Sequence, residues 1–378
     1  MRRVIRIVLW ITLIVVTGLA FVVRVRYGGG RPYPDVTGAP ILGGNDLETV
    51  LSYPEPIGNV AVSADGRGFF TVHPESRPED AKLLEFRDGV AWPYPAEALQ
   101  DELFQTPLGV AVDRHNRLWI IDHGRHGFDT PRLVAIDLLT DEVVHDHVFN
   151  NTAAPGGSFL QDLQISPDGQ TVFIADVSFW RQRPAIVVHD VSTATDRRVL
   201  EGHSSVSAQD WIISTPTRKM TFFGGLAAMK PGIDGIAVTP DGAWLAYGAM
   251  SHDTLYRVPT AALLDRSFGD SAIASRVEAL GRKPLSDGLS ADLEGGIWIT
   301  DVEHGAVLRM NPNGTLETWI ENPRIRWADA LSFGPDGWLY LADSAIPDQV
   351  MRSKHHIASQ APYDIFRFHP GVEGVPGH

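Results

Sequence analysis

Three aspartates of the 378-residue sequence stand directly before short runs of alternating apolar residues. They are Asp234 in "DGIAVTPDGAWLAYGAM", Asp287 in "DGLSADLEGGIWITDVE" and Asp329 in "DALSFGPDGWLYLADSA". Aspartate is uncommon in strands, so its repeated appearance at the start of one needs a physical reason. Carboxylates that converge can bind a hard divalent cation such as Ca²⁺, or act as general bases. For any one of them the alternative is a structural role, accepting backbone N–H bonds.

The phrase that contains these aspartates occurs six times. The other copies begin at Gly58, Leu108 and Gln161, and the six starts are 50, 53, 73, 53 and 42 residues apart. Each copy reads as a strand, a turn and a second strand, usually followed by a third. The spacing is typical of four-stranded propeller blades, so the predicted fold class is all-β, a six-bladed β-propeller preceded by an N-terminal hydrophobic helix. A pair of sandwiches would not need six copies of one phrase.

Propeller geometry predicts where the aspartates meet. The first strand of each blade lies beside the central channel, so the residues that open these strands converge at one mouth. Residues 47–53 are left over before the first copy, and we expect them to pair into the last blade and close the ring. Several carboxylates around a narrow mouth repel one another, and a cation compensates for that repulsion. The predicted metal ligands are Asp234, Asp287, Asp329 and Asn59, with Asp287 also as the catalytic base.

A second group of polar residues lies at the ends of the second strands. Asp122, Asp176, Asp301 and Asp343 are predicted to tie loops to strand ends through backbone hydrogen bonds. A histidine near a carboxylate can act as acid or base, so His304 is predicted to be catalytic. The predicted substrate-binding residues are Gln161, Asp162, His123 and His252. No G-x-S-x-G elbow, P-loop, H-E-x-x-H or dinucleotide fingerprint occurs in a fitting context.

The N-terminus differs from the rest of the chain. Three arginines precede an apolar run over residues 7–23, which favours export of everything after it. The run is either an uncleaved membrane anchor or a removed signal peptide, with Gly18-Leu19-Ala20 as a candidate cleavage site. The predicted location is extracytoplasmic, anchored by the helix or secreted. The predicted boundaries are 1–26 for the anchor or signal, 27–45 for a linker, 46–370 for the propeller and 371–378 for a tail.

Net charge and composition restrict the kinds of partner that the protein can bind. The formal net charge of −14 argues against a nucleic-acid partner and is compatible with a cation or a polar small molecule. The predicted partners are therefore a small-molecule ligand or substrate, no nucleic acid, and a membrane through the helix if it is uncleaved. The chain has no cysteine, which excludes disulfides, thiolate zinc sites and a cysteine nucleophile.

Residues from about 45 to 370 resemble the Yellow/major royal jelly protein family. The matching phrases are "RLWIIDHG", "FLQDLQIS", "PGIDGIAVTPDGAWLAYGAMSHDTLYRVPT", "KPLSDGLSADLEGGIWI" and "RIRWADALSFGPDGWLYLADS", in family order. The resemblance implies an exported six-bladed propeller with a ligand site at the channel mouth. The insect members include dopachrome-converting enzymes, amine-binding salivary proteins and nutritive proteins, so the family implies its fold more strongly than one activity.

A wider similarity is to the gluconolactonase/regucalcin group, propellers that hydrolyse sugar lactones with a channel-bound divalent metal. It implies ligand roles for Asp287, at that group's Asp-Gly position, and for Asp234, at its Asn-Gly position. The group's first-blade glutamate has no counterpart, because Ile57-Gly58-Asn59 occupies that stretch.

Two functions from different classes follow from the sequence. One is metal-assisted hydrolysis of a lactone or similar small ester, with a divalent cation, Ca²⁺ being our prediction, as cofactor. The other is a binding protein without turnover, in which the acidic mouth pairs with a cationic ligand such as an amine. In the second function Trp180, Trp211 and Trp327 would supply an aromatic wall.

Overall fold

The computed structural model describes residues 1–377, which contain six antiparallel sheets of four strands each. The repeated phrase forms the two inner strands of every sheet, so the predicted six-bladed propeller is confirmed. The blades, in chain order and from the channel outward, are: blade 1, Ile57–Val62, Gly68–Val72, Leu83–Arg87 and Val90–Pro93; blade 2, Pro107–Val112, Arg117–Asp122, Arg132–Asp137 and Glu142–Val148; blade 3, Leu160–Ile165, Thr171–Asp176, Ala185–Asp190 and Thr195–Val199; blade 4, Ile233–Val238, Trp244–Ala249, Thr254–Pro259 and Glu278–Arg282; blade 5, Leu289–Ala291, Ile297–Asp301, Ala306–Met310 and Leu316–Glu321; blade 6, Ala328–Phe333, Leu339–Asp343, Tyr363–Phe368 and Glu48–Tyr53.

The last blade closes the ring with a strand from the start of the chain. Glu48–Tyr53 pairs antiparallel with Tyr363–Phe368, as the leftover segment before the first repeat predicted. The innermost strand of blade 6 also packs against that of blade 1, so the six innermost strands form a closed ring. Closure removes the free sheet edge that an open propeller would expose.

A register shift near the start of the innermost strand explains the Asp-Gly pairs. In blade 4 the pairing with the second strand shifts between Ile233 and Ile236, so that Asp234 and Gly235 lie in a bulge. Bulges bend a strand and redirect its side chains, here at the channel end where the innermost strands converge. A Cβ on Gly235 would come within 2.2 Å of the carbonyl oxygen of Asp287, so the next strand approaches too closely for a larger residue.

Residues 205–230, which we call the cap, lie over the mouth where the aspartates gather. They contain two-residue strands at Trp211–Ile212, Thr221–Phe222 and Ala227–Ala228. The backbone N–H of Ser214 donates to Glu303 of blade 5 (2.6 Å), and Arg218 Nη1 donates to the carbonyl of Pro347 in blade 6 (2.7 Å). The cap thus spans the mouth from blade 4 to blade 6.

The chain before the propeller also lies against this face. Arg31–Pro32 forms a strand parallel to Trp211–Ile212 of the cap, and the Tyr33 hydroxyl donates to the carbonyl of Lys283 at 2.7 Å. The residues predicted to form a linker are therefore packed along blades 4 and 5. The preceding helix, Arg2–Tyr27, has no buried residue and is long and apolar enough to cross a membrane.

The C-terminal tail lies at the opposite end of the channel. Gly377 donates its N–H to the carbonyl of Phe333 and accepts from the N–H of Val112, both at the far ends of innermost strands. The remaining short helices lie in loops: α-helical turns at Glu97–Leu103, Gly124–Gly127, Thr260–Leu264, Asp270–Ala274 and Lys354–Ser359, and 3₁₀ turns at Gly44–Asp46, Pro74–Ser76, Phe223–Gly225, Pro335–Gly337 and Ile346–Asp348.

Candidate functional site at the channel mouth

The structure gathers four of the predicted carboxylates at one mouth of the channel. Asp234, Asp287 and Asp329 open the innermost strands of blades 4, 5 and 6, and Asp162 lies near the start of that of blade 3. The three predicted metal-binding aspartates are buried, with Asp234 only 1% exposed. Asn59 of blade 1, also buried, hydrogen-bonds to Asp162 across the ring. The predicted ligands are thus neighbours in space, although they come from separate blades.

Burial and mutual repulsion keep protons on these carboxyl groups. Burial raises the pKa of Asp162 and that of Asp287 to about 7 each. The pKa of Asp234 is raised well above its usual value by burial and by the charges of Asp287, Asp329 and Asp162. Burial and the charge of Asp287 also raise the pKa of Asp329. The ring therefore holds fewer than four negative charges near neutral pH.

Two oxygens of this ring have no hydrogen-bond partner. Asp234 Oδ2 and Asp329 Oδ2 are buried and accept no hydrogen bond. A buried carboxyl oxygen without a hydrogen-bond donor destabilises the folded state, because no hydrogen bond replaces those that the oxygen makes with water in the unfolded chain. His73 Nε2 lies 3.7 Å from Asp329 Oδ2, beyond hydrogen-bond distance. These two oxygens are the positions where a bound cation would supply the missing partner.

Asp287, by contrast, is held by named donors. Trp327 Nε1 donates to Asp287 Oδ2 at 2.7 Å, and Asp287 shares a hydrogen bond with Asp234. The backbone N–H groups of Asp287 and Gly288 both donate to Thr300 Oγ1 at 3.1 Å. The carboxyl group is thus fixed in one orientation with a pKa near neutrality, as a general base requires.

Lys283 is a functional candidate that sequence reasoning missed. Its side chain is fully buried, and its Nζ donates to the carbonyl of Pro284 and to Ser286 Oγ. Burial lowers the pKa of Lys283 to about 7, although Asp253, Asp301, Asp234 and Asp287 oppose this shift. A lysine with this pKa carries a proton that it can release near neutral pH. Its position four residues before Asp287, in "KPLSD", was the available signal.

The cap closes the mouth with apolar side chains. Trp211, Ile213 and Met220 of the cap belong to one buried cluster with Trp327 and Val302 beneath them. Inside the channel, a cavity of about 10 Å³ lies between Asn59 and Asp162 and extends to Gly377 of the tail. That volume suits about one water molecule, so the channel beside the carboxylates has no room for a sugar-sized molecule in this state.

His304, predicted to be catalytic, lies apart from the carboxylate ring. Its Nδ1 is 2.8 Å from Asp301 Oδ2, and its Nε2 is 3.9 Å from Asp35 of the segment before the propeller. The hydrogen bond with Asp301 raises the pKa of His304 to about 9. His304 is therefore a cation near neutral pH, and no hydrogen bond in the described residues joins its ring to Asp287.

The other predicted side chains divide into two groups. Asp162 belongs to the ring, and Gln161 is buried beside it in the same strand without a described side-chain bond to the carboxylates. His123 and His252 are buried in loops on the mouth face, where each Nδ1 accepts a backbone N–H, from His126 and Thr254 respectively. Burial lowers the pKa of His252 to about 4, and burial and His126 lower that of His123. Both rings are thus neutral and locally bonded.

The aspartates that end the second strands act as predicted. Asp122 accepts the N–H groups of Thr106 and Gly124, and Asp343 accepts those of Arg326 and Trp327. In the same way, Asp176 accepts the backbone N–H of Phe159, and Asp301 accepts that of Glu303. This confirms their role in tying loops to strand ends.

The three tryptophans do not form one wall. Trp327 is buried against Asp287. Trp211 of the cap packs edge-on against Tyr33 of the segment before the propeller. Trp180 is 45% exposed and contacts Tyr27 at the end of the N-terminal helix.

The donor set of the ring fits a hard divalent cation, because it consists of carboxylate and amide oxygens and two of them lack partners. The side chains are not drawn in to metal-binding distances, however. Among residues 1–377, the group of three whose ligand atoms all lie within 4.8 Å of one another is His147, His189 and Asp196, which are outside the channel.

Comparison with known proteins identifies the family. The model of the family described as Major royal jelly protein matches residues 105–320, more than half of the chain. The chain belongs to the major royal jelly protein family. Major royal jelly protein 2 of Apis mellifera is 26% identical over 196 residues, covering 48% of this chain and 41% of that protein. This confirms the resemblance seen in the repeated phrases.

A second relative has a named activity. The 6-deoxy-6-sulfogluconolactonase of Pseudomonas putida is 31% identical over 113 residues, covering 29% of this chain and 38% of that protein. This royal jelly family chain thus spans about two fifths of the length of the curated relatives that it matches.

Solved structures agree on the fold. A gluconolactonase from Xanthomonas campestris superposes with a TM-score of 0.55 at 14% identity, covering 90% of this chain and 98% of the other. The calcium-binding protein regucalcin from Agrobacterium tumefaciens gives a TM-score of 0.52 at 17% identity, covering 90% and 97%. At these identities the likeness concerns the propeller alone.

Proposed function

We propose that the channel mouth hydrolyses a lactone or similar small ester with the help of a divalent cation. The observation that carries this proposal is the buried ring of Asp162, Asp234, Asp287 and Asp329, which keeps two carboxylate oxygens without donors. Evolution seldom leaves such a costly arrangement unless a ligand completes it. The sequence similarity to a sulfogluconolactonase supports lactones as the substrate class.

The cation would be held by the unpaired oxygens of Asp234 and Asp329, with Asn59 and Asp162 on the other side of the ring. When bound, a divalent cation polarises a carbonyl group and lowers the pKa of a water molecule. Binding would release the protons that burial now keeps on these carboxyl groups, so the affinity for the cation should increase with pH.

Asp287 is the group that we assign as general base. Its pKa of about 7 allows it to accept a proton from the attacking water and to return it to the leaving oxygen as the ester C–O bond breaks. Trp327 Nε1, 2.7 Å from Asp287 Oδ2, fixes one oxygen and leaves the other to face the ring. Lys283, in its ammonium form, would offset negative charge that develops near the ring.

The cap would control access to this chemistry. With the carboxylates buried and a cavity of about 10 Å³, the closed state admits no sugar-sized substrate. Opening would also let in water, and closing would exclude it again before the chemical step. We further propose that the propeller works outside the cytoplasm, since the exposed apolar helix Arg2–Tyr27 is suited to a signal or an anchor.

The test measures hydrolysis of a panel of aldonolactones by the full chain. The acid released is titrated in a pH-stat, with and without added Ca²⁺, Mn²⁺ or Zn²⁺. We expect cation-dependent turnover that Asp234→Asn lowers by about tenfold or more, because a charged ligand is lost. Asp336→Asn, in a hairpin turn at the opposite end of the propeller, is the matched control and should keep full activity. Rates equal to spontaneous hydrolysis with every cation would overturn the proposal. If the protein instead binds tyramine tightly without turnover, the amine-binding alternative replaces it.

A further inference from the structure

A histidine-rich cluster lies far from the channel mouth, in the seam between blades 2 and 3. His145 and His147 are two residues apart on the outermost strand of blade 2, Glu142–Val148. His189 and Asp196 are directly opposite each other on the two paired outer strands of blade 3. The side chains of His189 and Asp196 are 0% and 3% exposed, and that of His147 is 14% exposed. The cluster is thus buried, with one side near solvent.

The polar atoms of this cluster point at one another. His147 Nε2 lies 3.0 Å from Asp196 Oδ2, and His189 Nδ1 lies 2.8 Å from Asp196 Oδ1. Ligand atoms of these three residues all lie within 4.8 Å of one another. Ligands about 2.0–2.2 Å from a first-row ion are themselves separated by roughly 3 Å. The spacing is therefore already close to that of a metal site.

We propose that His147, His189 and Asp196 form a binding site for a first-row transition ion, of which Zn²⁺ is the best match. Two imidazoles and one carboxylate are typical zinc ligands, and a fourth position remains for water or a small molecule. The ion would replace the protons that now join both histidines to Asp196. Ca²⁺ is not expected here, because it prefers a set made only of oxygens.

The surroundings of the cluster fit a metal site as well. His145 Nε2 lies 3.0 Å from His189 Nε2, so the second nitrogen of a ligand histidine has a hydrogen-bond partner that fixes the ring. Phe149 packs edge-on against His147, with ring centroids 4.9 Å apart, and Trp119 packs against His145. These contacts hold the imidazoles in place before any ion binds.

The site would add a metal bridge between two blades that hydrogen bonds such as that from Arg117 to the carbonyl of Gly169 already join. His147 belongs to blade 2, whereas His189 and Asp196 belong to blade 3, so one ion would be bonded across the seam. This proposed metal site is independent of the proposed hydrolysis, because none of its residues lies in the carboxylate ring. Its loss should leave lactone turnover unchanged.

The test is zinc binding by the dialysed full chain, measured by isothermal titration with ZnCl₂. All proteins in the series carry Asp234→Asn, so that zinc binding by the channel ring is weakened equally in each. We expect His147→Gln to lower the zinc affinity of the seam by about tenfold or more. His115→Gln, an exposed histidine at a hairpin turn, should bind as the parent does.

A second measurement needs no further variant. Crystals of the full chain soaked in ZnCl₂ should show anomalous density within bonding distance of His147, His189 and Asp196. Cobalt(II) in place of zinc should give visible absorption that His147→Gln abolishes. The proposal is overturned if no density appears at the seam, or if His147→Gln and its parent bind zinc equally.

Discussion

Asp287 at the channel mouth and Asp196 in the seam are both buried aspartates, but their surroundings are opposite. Asp287 lies among like charges, and burial raises its pKa to about 7. Asp196 lies between His147 and His189, whose hydrogen bonds outweigh burial and lower its pKa. Burial acts in the same direction at both sites, so the donors around each carboxyl group decide whether it is charged.

The difference shows how one fold can hold two kinds of site. At the mouth, the oxygens of Asp234 and Asp329 without partners destabilise the protein until a ligand arrives. In the seam, every carboxylate oxygen of Asp196 has a histidine, and the cluster is stable as it stands. The first arrangement costs stability, which is what the proposed cation would recover, whereas the second stabilises the fold without any ligand.

The largest expected effect is on turnover. Asp287→Asn should lower lactone hydrolysis by about 10²-fold or more, because a general base is removed while the volume is kept. Asp196→Asn, the matched change in the seam, should leave the rate within about twofold of the parent. Steady-state kinetics on both variants checks this contrast. Equal losses would mean that the two sites are not separate in function.

The second effect is on stability and has opposite signs at the two sites. A raised pKa means that Asp287 contributes stability at low pH, which is lost as the pH rises through about 7. In the metal-free protein at pH 8, Asp287→Asn should therefore increase the free energy of unfolding, by on the order of 2 kcal/mol. At pH 5 the gain should be smaller, since the carboxyl group is then protonated in the folded state and only the unfolded chain loses its proton.

Asp196→Asn should behave in the reverse manner. A lowered pKa means that Asp196 contributes stability above its unfolded pKa, which is lost only in acid. The substitution should lower the free energy of unfolding by about 1–3 kcal/mol at both pH 5 and pH 8. Urea titrations of both variants in EDTA at the two pH values measure the contrast. Destabilisation of both variants at pH 8 would contradict it.

A smaller effect concerns the tryptophan beside the base. Trp327→Phe removes the donor that lowers the pKa of Asp287, so this pKa should rise by about one unit. The acidic limb of the kcat/KM profile against pH should move to higher pH by the same amount. Trp319→Phe, a half-buried tryptophan in an outer strand of blade 5, is the control. An unshifted limb would exclude Asp287 as the titrating group.

The smallest effect concerns the cap. Arg218 donates to the carbonyls of Pro347 and Val350, so Arg218→Ala should release one anchor over blade 6. We expect turnover to rise a few-fold if cap opening limits the rate. Arg114→Ala, which removes a similar arginine–carbonyl bond at the far end of the propeller, should not change it. A lower rate in Arg218→Ala would mean that the cap orders the site instead.

Much of the fold could be predicted because it is specified by short local sequence patterns that recur along the chain. The period-2 strands, the turn triplets and six copies of one phrase specify the blades, and the leftover residues 47–53 specify how the ring closes. The meeting of Asp234, Asp287 and Asp329 followed from the same repetition, since equivalent residues of a propeller converge on its axis.

Other parts of the site could not be read from local patterns. The starts of the third and fourth repeats are 73 residues apart, which indicates an insertion there but does not predict that the cap crosses to blade 6. Lys283 and His73 reach the ring from loops whose direction is set by packing. The placement of His304 also depends on a loop, in which its ring is hydrogen-bonded to Asp301. The seam cluster joins strands from two blades, which a repeat does not encode.

Cation binding at the carboxylate ring decides whether Asp234 is a metal ligand or a structural residue. Ca²⁺ titrations and melting curves should be recorded at pH 7.5 for the dialysed parent and for Asp234→Asn. We expect the parent to bind one Ca²⁺ at the ring, and the affinity of the variant to be lower by about tenfold or more. The metal-free melting temperature of the variant should be equal or higher, because repulsion is relieved. Unaltered affinity together with a melting temperature several degrees lower would show that Asp234 is a structural residue and not a metal ligand.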